Sequence, residues 1–118
     1  MSQLEELGFV LKHVGINCEN EDEACSVAQK FEEIFGFTKK VGNSSVFAGT
    51  EVEAMKAPYL GKHGHIAVGT TDVDKAVEYL KSQGVEFNMD SAKVKDGKTT
   101  AIYLKDEIGG FAVHLVKK

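Results

Sequence analysis

His13, Glu53, His65 and His114 are the residues of this chain best suited to hold a metal. The chain has 4 histidines among 118 residues, and three sit in short apolar runs, "VLKHVGI", "HIAVG" and "FAVHLVK". Glu53 sits in a fourth such run, "VEAM". A strand that buries one face rarely gives a position on it to an ionisable side chain without a partner. Four such residues, one to a strand, are the right chemistry for one divalent ion. Neutral imidazole and carboxylate suit Zn²⁺, Ni²⁺, Fe²⁺, Co²⁺ or Mn²⁺. Two or three histidines with one carboxylate leave a position open for water or substrate.

The elements that must position these groups follow from alternation. In "VLKHVGI", Val10, Val14 and Ile16 face one way, and Leu11, His13 and Gly15 the other. In "HIAVG", Ile66 and Val68 oppose His65, Ala67 and Gly69. In "EVEAM", Val52 and Ala54 oppose Glu51, Glu53 and Met55. In "FAVHLVK", Phe111, Val113 and Leu115 oppose Ala112, His114 and Val116. Each strand thus has a bulky apolar set to pack under a helix. Its other face carries one candidate ligand, often beside Ala or Gly. A curved sheet lining a cavity has this pattern.

The chain also repeats itself. "HVGINCENEDEACSVAQKFEEIFGF" starts at His13 and "HIAVGTTDVDKAVEYLKSQGVEF" at His65. Each passes from an apolar run through a polar turn into a helical stretch that ends at glycine, Gly36 or Gly84. Ala24, Val27, Ala28, Phe31, Ile34 and Phe35 form the first helical stripe; Val73, Ala76, Val77 and Leu80 form the second. Asn20 with Glu23 predicts a capping box, and Thr71 or Asp72 a second cap. Three strand-like runs follow each helix, separated by turns such as "KDGK" and "EIGG". The single proline, Pro58, lies in the linker "APYLGKHG". The expected fold class is α+β: two tandem β-α-β-β-β modules forming a curved mixed sheet around a cavity. A single domain over residues 1–118 is expected, with module one at about 8–57 and module two at about 62–118. Neither half alone buries enough surface, so the two should share a core.

Composition narrows the partners. The formal net charge is -4, which argues against nucleic acid. Every basic residue is lysine, so no guanidinium is available to clamp a carboxylate or phosphate. No apolar run approaches the roughly 20 residues of a membrane helix. The first ten residues lack a secretory signal pattern, which makes the cytoplasm the expected compartment. Cys18 and Cys25 form no metal or redox motif and read as small, buried or half-buried side chains. Lys12, Lys56 and Lys62 flank the ligand-bearing strands and read mainly as solvated lysines. His63 reads as a strand-start surface residue and Tyr103 as a half-buried packing side chain with a hydroxyl near the cavity.

"KHVGI", "GHIAV", "VEAM" and "DEIGGFAVHLV" together resemble the vicinal oxygen chelate superfamily. Glyoxalase I, fosfomycin-resistance proteins, methylmalonyl-CoA epimerase and extradiol dioxygenases belong to it. The resemblance runs from about Phe9 to Val116. It implies a metal held by the first and last strands of each module, at His13, Glu53, His65 and His114. It further implies Glu53 and His114 as the catalytic pair, a small-molecule substrate with adjacent oxygens, and a homodimer. The family usually carries Glu where this chain has His114, which argues against lactoylglutathione lyase activity. A metal-dependent lyase or isomerase for an α-keto or α-hydroxy acid is the expected activity. A non-catalytic binding module is the alternative. "NSSVFAGTEVEAMKAPYLGKHGHIAVGT" and "AIYLKDEIGGFAVHLV" also resemble an extension that follows the barrel in some bacterial 2-keto-3-deoxy-6-phosphogluconate aldolases. The eightfold β/α pattern of that barrel is absent from this chain.

Overall fold

The computed structural model describes residues 3–118. After a short helix α1 (Gln3–Leu7), the chain runs β1 (Val10–Asn17), α2 (Glu21–Phe35), β2 (Lys39–Val41), β3 (Ser45–Ala48) and β4 (Val52–Met55). It then repeats the series as β5 (Gly64–Thr70), α3 (Val73–Ser82), β6 (Phe87–Lys95), β7 (Lys98–Leu104) and β8 (Phe111–Lys117). All strands join one sheet in the order β2-β3-β4-β1-β5-β8-β7-β6. The first strands of the two modules lie side by side at its centre, antiparallel to each other. Each is flanked on its far side by the last strand of its own module, running parallel. This is the mixed, two-module architecture expected from the repeat.

The helix ends follow their sequence signals. Asn20 Oδ1 accepts from the Glu23 amide at 2.9 Å. Glu23 reaches back to the Glu19 amide at 3.0 Å, one residue earlier than a standard capping box. Asp72, not Thr71, caps α3 by accepting from the Lys75 amide at 3.0 Å. Gly36 closes α2 at φ 76°, a left-handed conformation that costs glycine little.

Two apolar cores lie between the sheet and its helices. Under α2, Ala24, Ala28, Val46, Ala48 and Ala54 are fully buried with Cys18. Under α3, Val73, Ala76, Ile102, Leu115 and Phe87 pack with Leu7. The predicted stripes thus meet the sheet, with a correction at the end of α2. Ile34 and Phe35 are exposed, with Phe35 lying against Phe31 and Phe37 and not against the sheet core. Helix α1 was not anticipated from the sequence. Its Leu7 is only 2% exposed, and its carbonyl receives Thr70 Oγ1 at 2.7 Å.

The alternation expected along β1 breaks at Lys12. The register slips there, so Leu11 pairs with Val68 whereas His13 pairs with Ala67. Leu11 therefore shares the face of Val68, not that of His13 as strict alternation predicts. The extra residue re-aims the following side chains, as bulges do beside sites.

Candidate metal centre

The register brings the predicted residues together on the sheet face away from the helices. Gly15 pairs with Glu53 on one side and His65 on the other. Ala67 pairs with His13 on one side and His114 on the other. These two rows cross the sheet as copies related by an approximate two-fold rotation under the repeat. Gly15 follows His13 by two residues and faces Glu53; Ala67 follows His65 by two and faces His114. Glu53 and His114 are therefore equivalent positions of the two modules.

Small residues between the ligands make the convergence possible. A Cβ on Gly15 would overlap the His65 imidazole, so the ring lies where that side chain would be. His65 is only 4% exposed as a result.

Three donor atoms form a tight triangle. Glu53 Oε1 lies 3.1 Å from His65 Nε2 and 3.4 Å from His13 Nε2, and the two nitrogens are 3.2 Å apart. One ring nitrogen each of His13, His65 and His114 lie within 4.8 Å of one another. Ser45 Oγ donates to the other carboxylate oxygen, Oε2, at 2.7 Å.

With Glu53 ionised and both rings neutral, hydrogen bonds alone do not satisfy this triangle. Each Nε2 holds at most one proton when the ring is neutral, and an ionised carboxylate holds none. If both nitrogens donate to Glu53, two N–H groups face each other across the 3.2 Å contact. If His13 donates to His65 instead, the His65 lone pair faces the carboxylate at 3.1 Å. The reverse donation leaves the His13 lone pair facing the same oxygen. One cation in contact with all three atoms satisfies every edge. Ligand atoms about 2.0–2.1 Å from one tetrahedral ion are about 3.3 Å apart. The observed edges match that spacing.

The protonation states also suit a metal. Burial holds His13 below its ordinary range, with Glu53 opposing the shift. Burial likewise pushes His114 down to about 4. The hydrogen bond with His65, aided by Ser45, outweighs burial and lowers Glu53. At neutral pH the centre therefore offers uncharged imidazoles at His13 and His114 and an ionised carboxylate, the forms that ligate. His114 Nε2 and His65 Nδ1 are buried and have no hydrogen-bond partner. Of the two, the His114 nitrogen is a further mark of fit, because the Nε2 of His65 already belongs to the triangle.

The cluster forms the floor of a cavity of about 550 Å³. Met55, Leu60, Ala101 and Val116 give it apolar walls; Ser44, Tyr59, Ser91, Lys93 and Tyr103 add polar groups. Burial pushes the Tyr103 phenol up to about 12, with Tyr59 and Glu53 adding to the effect, so it stays protonated.

Other residues weighed from the sequence fall elsewhere. Strand β5 begins only at Gly64, leaving His63 against Gly110 and Phe111 outside the cavity lining. Lys56 pairs with Glu21 at 2.7 Å, and the Lys12 chain lies over Gly69. Ser45 and Lys93 were missed. Ser45 precedes Glu53 by eight residues, and the turn between β3 and β4 hides their adjacency until register is known.

Among the described residues, no helix is long and apolar enough to cross a membrane. No curated protein matches the sequence. Several solved structures share the fold. A methylmalonyl-CoA epimerase from Mycobacterium tuberculosis is 17% identical, with 99% of this chain and 92% of that one covered and a TM-score of 0.62. A variant of the Streptomyces coelicolor epimerase, in complex with 2-nitronate-propionyl-CoA, is 21% identical, with coverages of 92% and 93% and a TM-score of 0.60. A hypothetical protein from Bacillus halodurans is 15% identical, with coverages of 94% and 95% and a TM-score of 0.63. The family model for the glyoxalase/bleomycin resistance protein/dioxygenase superfamily matches residues 10–115. The chain belongs to that superfamily.

Proposed function

We propose that this chain is a metal-dependent isomerase or lyase for a small α-keto or α-hydroxy acid. His13, Glu53, His65 and His114 hold the ion, drawn from Zn²⁺, Ni²⁺, Mn²⁺, Fe²⁺ and Co²⁺. The observation that carries the reading is the triangle of His13, His65 and Glu53, with edges of 3.1 to 3.4 Å that hydrogen bonds between an ionised carboxylate and two neutral imidazoles leave partly unsatisfied. A divalent ion bound there supplies Lewis-acid polarisation of two adjacent substrate oxygens.

The chain's own groups supply the rest. Ser45 fixes one carboxylate oxygen and leaves Glu53 Oε1 toward the imidazoles. Glu53 or His114, partly displaced from the ion, is the group assigned to exchange a proton with the substrate carbon beside those oxygens. Apolar walls at Met55, Leu60 and Val116 limit water around the reacting atoms. The reading includes a homodimer in the cytoplasm, and sedimentation tests the assembly.

Proton exchange tests the activity. Metal-loaded protein incubated in D₂O with a panel of keto and hydroxy acids should exchange the α-proton of its substrate. Glu53→Gln should abolish that exchange. A panel with no exchange, followed for each metal, contradicts the enzyme reading.

A second reading has its own support. His114 stands where the equivalent position carries a carboxylate, and the sequence likeness to the aldolase-associated extension runs through both strands that flank the linker. On this reading the chain is a non-catalytic small-molecule-binding or accessory domain linked to 2-keto-3-deoxy-6-phosphogluconate aldolase and sugar-acid metabolism. Saturable binding of an acid without proton exchange distinguishes it.

A further inference from the structure

Glu53 and His114 are equivalent, yet their surroundings are built differently. Phe47 pairs with Glu53 across β3 and β4, and Tyr103 pairs with His114 across β7 and β8. Two residues earlier on those strands stand Ser45 and Ala101, which pair with Met55 and Val116. Ser45 supplies a hydroxyl to its carboxylate. Ala101, in the same place, has none to give.

The imidazole is instead held by a ring. Tyr103 lies face to face on His114, with 4.5 Å between centroids and 10° between planes. Phe47 makes no such stack in its own module; it meets His13 edge-on at 6.1 Å and 82°. No hydrogen bond fixes His114 Nε2. The last torsion of a histidine is a broad, soft one, so something other than χ preference must set its plane.

We propose that Tyr103 is the positioning residue for His114: its stacked ring replaces the hydrogen bond that Ser45 makes to Glu53, and it keeps a ring nitrogen of His114 turned toward His13 and His65. The proposal rests on the metal-centre reading above. The work is done by the flat ring, not by the hydroxyl. Outer partners of metal ligands typically change affinity by about 10–100-fold when removed.

Co²⁺ titration followed by visible absorption tests this on the wild-type chain, Tyr103→Phe, Tyr103→Leu, His114→Ala and the Tyr103→Leu/His114→Ala pair. Tyr103→Phe should match the wild type in affinity and spectrum. Tyr103→Leu should bind about 10–100-fold more weakly, with an altered spectrum. In the His114→Ala background, Tyr103→Leu should cost nothing further, because the two residues act as one unit. Tyr103→Met serves as a second non-aromatic variant, so that a folding failure of one leaves the other to decide. Wild-type affinity and spectrum in the non-aromatic variants overturn the proposal. So does an equal loss in the His114→Ala background, which would mean that Tyr103 acts through general packing. Absence of Co²⁺ binding by the wild type overturns the metal centre itself, a failure distinct from either of these.

Discussion

The two modules place different chemistry at the same point of one architecture. At the end of module one, β4 presents Glu53, ionised and tied to the Ser45 hydroxyl. At the end of module two, β8 presents His114, uncharged and lying against Tyr103. The register relates these positions by the repeat, and the side chains at them differ. On the proposed donor set, one carboxylate stands where a symmetric pair would carry two negative charges, so a bound divalent ion would retain more of its positive charge. Each corner also has a support suited to its ligand: a hydroxyl donor for the anion, a flat ring for the imidazole.

The largest expected effect separates Gly15 from its equivalent, Ala67. Gly15→Ala should displace His65, destabilise the fold by roughly 1–3 kcal/mol through overpacking, and abolish metal binding. Ala67→Gly should cost only about 0.5–1 kcal/mol and leave binding largely intact. Denaturant unfolding and metal titration of both variants check this pair. Equal effects at the two sites would mean that the cradle for His65 is not what makes module one different.

Next come the two corners themselves. Glu53→Gln keeps the shape but removes the charge, and should weaken metal binding more than His114→Gln does. The first loss should exceed the roughly 100-fold upper range of outer-partner changes, and the second should lie within about 10–100-fold. Calorimetric titration measures both. Ser45→Ala should cost about tenfold, because it frees one carboxylate oxygen. The converse construction sharpens the comparison. His114→Glu with Ala101→Ser copies the first corner into the second module, and should shift preference from Ni²⁺ and Zn²⁺ toward Mn²⁺. His114→Glu alone should do so less well.

The same asymmetry predicts a pH dependence in metal-stripped protein. The folded His114 titrates at about 4, below the ordinary histidine value near 6.5. Between those values the unfolded chain binds the proton and the folded chain does not, so stability falls as pH drops from about 6.5 toward 4. Glu53 is lowered too, and its contribution starts to be lost only at the acid end of that window, below its ordinary value. His13 is lowered as well and adds to the same slope, so His114→Phe should reduce that part of the stability profile without removing it, as thermal unfolding in the presence of a chelator would record.

Much of this site was legible because ionisable side chains are conspicuous on apolar strands. His13 and His65 stood in register across the repeat, and alternation put Glu53 and His114 on the same face. What was missed depends on pairing. Ser45 reads as an ordinary strand residue until β3 is laid against β4. The emptiness of Gly15 matters only once the His65 ring is seen to fill it. The slip at Lys12 leaves no mark in the sequence, because "VLKHV" alternates as well with it as without. Helix α1 is too short for a periodic signal, and Leu7 gains its role only from the core it closes. Tyr103 was placed near the cavity, but its stack on His114 depends on the hairpin register of β7 and β8.

Whether His13, Glu53, His65 and His114 form one metal centre is open to direct experiment. Metal analysis of protein purified without a histidine tag, followed by thermal unfolding with and without added Ni²⁺, Zn²⁺, Mn²⁺ or Fe²⁺, tests it most directly. One ion per chain, a higher Tm with metal, and loss of both in Glu53→Ala are the expected results. A metal-free protein whose Tm none of these ions raises would contradict them.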